Sequence, residues 1–122
     1  MNLKKRFDGL WNAKPFKRYK HFVSCVADQE SVWMLSNDAG FTTIDLDGYV
    51  NLLVWPSREF AVAFDSQDSP VEMEVHDFCQ CCEEILEQKD VRFMVFPTDK
   101  DVYVASAEEL LSDILQELEL IE

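Results

Sequence analysis

Apolar positions recur along this chain in two rhythms, and the switches between them outline its elements. Phe16, Tyr19, Phe22, Val23 and Val26 return at helical spacing and predict a helix with one buried stripe. Asn12 is placed to cap this helix, and Pro15 suits its early turn, where amide protons have no intrahelical partner. Lys14, Lys17, Arg18, Lys20 and His21 fall largely off the stripe and read as its solvent face. Residues 31–36 (SVWMLS) are strand formers, 37–40 (NDAG) form a turn cluster, and 41–44 (FTTI) read as the return strand. Asp47-Gly48 marks a second tight turn. Residues 49–55 (YVNLLVW) are nearly all apolar and predict a strand in the middle of a sheet. Pro56 ends it, and Ser57 is placed to cap a short helix with Phe60, Ala61 and Phe64 turned inward.

Beyond a polar connection, Val71, Met73 and Val75 alternate with Glu72, Glu74 and His76, the period of a short edge strand. A helix is expected over 77–89 with Asp77 as its cap, then strands over 91–96 and 102–105. Ser106 and Glu109 have capping-box spacing, in which each side chain satisfies an unpaired amide. Leu110, Leu111, Ile114, Leu115, Leu118 and Ile121 supply the last helix's apolar face. Short turns between neighbouring strands favour antiparallel pairing. The expected class is α+β: a mainly antiparallel sheet of about five strands covered by about three to four helices. Length and apolar content fit a single domain over 1–122, with 1–12 a basic segment free to stay flexible.

The stretch from His76 to Leu86 (HDFCQCCEEIL) holds three of the four cysteines and one of the two histidines. Wound as a helix, it puts Phe78, Cys82, Ile85 and Leu86 on one face, with Cys79 and Cys81 on the flanks. Gln80, Glu83, Glu84 and Glu87 fall opposite. Cys82 and at least one of the flanking cysteines therefore read as small hydrophobes of a buried face. A zinc site is the alternative, with Cys79, Cys82 and His76 as ligands and distant Cys25 or His21 completing the set. No second CxxC supports it, so no metal and no cofactor are expected. A redox reading of Cys79-Gln-Cys-Cys82 needs a cysteine exposed at the helix start; Cys79 does lie in the first turn, which leaves a reactive thiol open, but Glu83 and Glu84 disfavour a thiolate. Three isolated glycines cannot build a phosphate loop, and neither GxSxG nor HExxH occurs. No catalytic set is assigned; His76 and Cys79 are the first residues to test.

Charge changes this picture more than composition does. The net charge is −13, yet residues 1–20 hold seven of the eleven Lys and Arg with one acid, Asp8. That segment carries +6 and the remaining body −19. Phosphates would be repelled, so nucleic-acid binding by the body is disfavoured, while a basic protein surface would be attracted. The basic first helix could lie on an anionic membrane, but the acidic body opposes that approach, and no apolar run is long enough to span one. The first residues carry charges without an apolar run behind them, so no signal peptide is expected. Clustered cysteines suit reduced thiols, and a cytoplasmic location follows. Trp11 either packs back onto the domain or anchors a partner. An edge strand or the leucine-rich last helix could pair two copies as a homodimer.

Residues 53–61 (LVWPSREFA) resemble a segment of a small bacterial family known as domain of unknown function 2750, in which Trp-Pro leads into a short helix containing alanine. The order that follows is similar too: a helix opening on Asp77-Phe78, a strand ending Val95-Phe96-Pro97, then a strand and a helix around Glu108-Glu109-Leu110. Upstream, 31–35 (SVWML) and Gly40-Phe41 fit the family's early hairpin. The resemblance implies a fold and supplies no activity. Two functions are therefore expected from the residues. The first is a non-enzymatic interaction module, immunity- or inhibitor-like, that binds a basic partner. The alternative is a small-ligand binder or enzyme with a pocket near Trp55, His76 and Cys79.

Overall fold

The described part of the chain opens with two helices. The computed structural model describes residues 3–121. Helix α1 (Leu3–Trp11) is followed after three residues by α2 (Pro15–Gln29). Phe7, Leu10 and Trp11 turn from α1 onto the core. Asn12 does not cap α2. Its backbone amide and its side-chain amide both donate to the Asp8 carbonyl, which closes α1. The residue before α2 is Lys14, in extended conformation and without a side-chain cap, so Pro15 alone marks the start.

Strands β1 (Ser31–Asn37), β2 (Gly40–Phe41), β3 (Thr43–Leu46) and β4 (Tyr49–Val54) come next, then α3 (Arg58–Phe64) and β5 (Ser69–Glu74). Helix α4 (Val75–Ile85), β6 (Val91–Val95), β7 (Tyr103–Ser106) and α5 (Ala107–Ile121) complete the chain. The class is α+β. Among the described residues, five helices pack with seven strands arranged as two sheets, in the orders β2-β1-β5 and β3-β4-β6-β7. Every strand pair is antiparallel except β4 with β6. These two run parallel because α3, β5 and α4 lie between them, a connection long enough to return the chain to its starting end.

The return strand expected over 41–44 is divided between the sheets. Gly40–Phe41 pairs with β1, and Thr43–Leu46 pairs with β4. Thr42 makes the switch. Its amide donates to the Leu35 carbonyl at 2.8 Å and its hydroxyl to Asp68 at 2.5 Å. The sheets meet again at Trp33 and Trp55, which exchange backbone bonds of 3.0 and 2.8 Å. The Asp47-Gly48 turn has both residues at positive φ, 55° and 82°, as a two-residue hairpin requires. Pro70 is tolerated in β5 because that strand lies at an edge.

Helices α2 and α4 lie on one face of the second sheet. The β6–β7 register puts Phe93, Val95, Tyr103 and Ala105 on that face. Phe78 of α4 meets Phe93 edge-on at 5.4 Å, and Tyr19 of α2 lies 4.3 Å from Tyr103. On the opposite face Asn51 is fully buried in the central strand and fully satisfied. Its amide donates to the Ile44 and Tyr49 carbonyls, and its oxygen accepts from Arg92 Nε at 2.9 Å. The Arg92 guanidinium lies 4.0 Å over the Tyr49 ring.

Candidate functional site

Two stretches that carry the family resemblance meet in space. The Trp55 indole donates to the Pro97 carbonyl at 3.0 Å, and the Phe96 amide donates to the Val54 carbonyl at 2.7 Å. Phe96 is held at φ 53°, a left-handed conformation that a bulky side chain rarely adopts. Arg18 explains how it is held. This side chain was expected at the solvent face of α2, but it is 1% exposed. Its Nε donates to the Phe96 carbonyl at 3.0 Å. One terminal nitrogen donates to the Ala13 carbonyl, and the other donates to the Asp101 carbonyl at 2.9 Å and carboxylate at 2.7 Å. A planar fork of donors can serve three carbonyls at once. The loop between β6 and β7 is also held from α1: the Trp11 indole donates to Asp99 and the Lys100 ammonium to the Asn12 side chain. Trp11 thus packs back onto the domain. This junction is an interior scaffold, and the clefts lie on either side of α2.

The first cleft, about 400 Å³, runs between α2 and α5. Its α2 wall is Phe16, Tyr19, Lys20 and Val23; its α5 wall includes Glu109, Asp113 and Glu117, acids four residues apart and so stacked on successive turns. The Tyr19 hydroxyl donates to Asp113 at 2.5 Å and the Tyr103 hydroxyl to Glu109 at 2.6 Å. Burial, then the bond to Asp113, pushes the Tyr19 phenol well above its usual value. The bond to Glu109 pushes Tyr103 up to about 12. Phenols held up in this way stay protonated and donate; they are poor bases or nucleophiles at neutral pH. The Lys20 ammonium lies 5.6 Å over the Phe16 ring, so an aromatic face of this cleft already meets a cation.

Glu109 was expected to complete a capping box. The Ser106 hydroxyl does accept from the Glu109 amide at 3.0 Å, but the Glu109 carboxylate turns to Tyr103 instead. The same helix buries Leu110, Leu111, Ile114 and Leu118, while Leu115 stays 46% exposed and the Ile121 side chain lies outside the described residues.

The cysteine helix starts two residues before Asp77. Its cap is Glu74, whose carboxylate accepts from the His76 and Asp77 amides at 2.9 and 3.2 Å. It ends at Ile85 rather than at 89, which leaves Leu86 off the buried face and 44% exposed. Cys79 and Cys82 are buried beside Phe78, and Cys81 is half-buried. Burial pushes the Cys79 thiol up to about 11 and Cys82 higher still, with Glu83 adding to both. His76 is exposed, with its ring 2.7 Å from Glu74, which holds that carboxyl below its usual range. Among the described residues no three His, Cys, Asp or Glu side chains are placed to hold a metal ion. His76 does not join Cys79 and Cys82 as a ligand set, while His21 and Cys25 share a different cleft. Trp55 is fully buried, and neither it, His76 nor Cys79 lines either cleft beside α2.

These features define a small acidic α+β protein with helix-walled surface clefts, and none of its described helices is long and apolar enough to cross a membrane. The chain belongs to the family described as protein of unknown function (DUF2750), whose profile matches residues 19–114. The match opens in α2 and takes in both the Trp55-Pro56 and Phe96-Pro97 stretches. Comparison with curated proteins returns no match.

Tyr19, Glu109 and Asp113 had no functional reading in the sequence. The signal that could have found them is the three-acid spacing on α5, but it needs the helix pairing to show what the acids face.

Proposed function

We propose that this protein is a non-enzymatic interaction module that binds a basic protein surface, with a Lys or Arg side chain of the partner seated between α2 and α5. The observation that carries this reading is the row of Glu109, Asp113 and Glu117 facing the Phe16 and Tyr19 rings. Carboxylates attract the incoming cation, the aromatic faces stabilise it, and the −19 body speeds its approach. Raised phenol and thiol pKa values support binding over catalysis, because none of these groups is prepared to react at neutral pH. A cytoplasmic location goes with this reading, since the four cysteines are unpaired.

The test is affinity purification from the native cell at low and high salt, with the natural chain and Glu117→Lys as paired baits. A basic protein should come down at low salt, fall away at high salt, and be recovered at least about 10-fold less by the variant. Equal recovery by both baits, or no basic protein at low salt, would reject the proposal.

A further inference from the structure

The cleft on the other side of α2 is more apolar and carries one charge of each sign, Arg6 and Glu59. It is about 390 Å³ and lies between α1, α2 and the Pro56-Ser57 turn that leads into α3. Phe7 and Phe60, both in the lining, stack at 4.6 Å with 16° between their planes, and Trp11 packs on both from outside the lining, at 5.6 and 6.3 Å. This makes one wall an aromatic shelf. Arg6 and His21 line the same space. Burial and then the Arg6 charge lower the His21 pKa, so its imidazole is neutral at neutral pH. The Cys25 thiol donates to Gln29 and is raised by burial, so it stays uncharged. Arg6 and Glu59 are then the ionised groups of the lining, and Arg6 is the charge that reaches His21. Ser57 Oγ, in the same wall, is buried with no hydrogen-bond partner.

We infer that this cleft binds a small aromatic carboxylate, its ring against the Phe7–Phe60 stack and its carboxylate at Arg6 and His21. The volume suits a molecule of one or two rings. An apolar shelf with a guanidinium at one end selects that combination: the ring leaves water, and the carboxylate meets a planar fork of donors. A cationic ligand meets three acids between α2 and α5 and only Glu59 here, opposed by Arg6. This places the small-ligand site beside Pro56, in a different lining from the Trp55, His76 and Cys79 expected from the sequence.

The experiment titrates the full ¹⁵N-labelled chain with 2-naphthoate and, in parallel, with the neutral 2-naphthamide, and measures both affinities by calorimetry. Naphthoate should shift the amides of residues 6–10, His21 and Ser57, and bind at least about 10-fold more tightly than the amide. Arg6→Gln should remove that preference, and Arg6→Lys should keep part of it. Arg6 is exposed on α1, so both variants should retain the natural amide spectrum away from the cleft. Absence of shifts at about 5 mM naphthoate would overturn the inference. So would shifts confined to other surfaces, equal binding of acid and amide, or an unchanged affinity in Arg6→Gln.

Discussion

Replacing Arg18 by methionine tests the interior scaffold directly. Methionine keeps the helix and much of the side-chain volume but removes every donor. The Phe96 carbonyl, in a fully buried residue, would lose its partner and cost about 1–3 kcal/mol. The Ala13 and Asp101 carbonyls lie nearer to water, so each loses about 0.5–1.5 kcal/mol. The ion pair itself adds under about 1 kcal/mol, because the Asp101 side chain is 48% exposed and can be rehydrated. Freeing the buried guanidinium from its desolvation cost returns part of this, leaving a net loss of about 2–5 kcal/mol. At about 2.1 cal/mol/K per residue over 122 residues, Tm should fall by about 8–19 °C. Asp101→Ala leaves all three carbonyl bonds in place and should cost about 0.5–2 kcal/mol. Arg18→Lys should behave nearly as badly as methionine, because an ammonium cannot span three carbonyls with the geometry of a fork. Urea unfolding followed by circular dichroism and tryptophan fluorescence measures all three variants. A methionine variant within about 1 kcal/mol of the natural chain, or an Asp101→Ala variant equally unstable, would refute the reasoning.

Three further outcomes follow from buried groups. Alkylation by iodoacetamide at pH 7.5 should label Cys81 and Cys25 before Cys79, and Cys82 last; mass spectrometry reads the order, and native labelling of Cys79 as fast as in urea would contradict its burial. Because the Cys79 thiol is raised from 9.0 to about 11, its contribution to stability should be complete below pH 9 and lost as pH climbs through 11, a decline that Cys79→Val should lessen. Ser57→Ala should leave stability unchanged or raise it by up to about 1 kcal/mol, although losing a serine cap ordinarily costs about 0.5–2 kcal/mol, since this hydroxyl is buried and caps nothing. A thermal melt showing a loss beyond about 1 kcal/mol would mean that the side chain does cap α3.

Much of the fold is legible in local pattern, and the failures have a common cause. The stripe of α2, the strand over 49–54, the Asp47-Gly48 hairpin and the apolar face of α5 follow from periodicity and turn chemistry. Those signals report which residues leave water and where the backbone needs positive φ. They miss Arg18, because a long cation off an apolar stripe looks like any solvated lysine or arginine until its carbonyl partners, 78 and 83 residues away, are in place. They mistake Asp77 for the cap because Glu74 reads as part of an alternating strand, which it also is: it ends β5 and starts α4. The clefts are less legible still. Glu109, Asp113 and Glu117 share a helix face in sequence, but only the packing of α5 on α2 sets Tyr19 and Phe16 across from them.

By itself the sequence determined most element types after residue 14, the buried role of Cys82 with one of its flanking cysteines, the acidic body and the family, because each depends on residues close in the chain or on simple totals. Only the tertiary structure decided that β2 and β3 part at Thr42, that β4 and β6 run parallel, and that an acidic cleft and an aromatic one flank α2. Those features are made by partners distant in the chain. Their choice depends on which buried donors and aromatic faces can be satisfied together, and no local window contains both sides of that match.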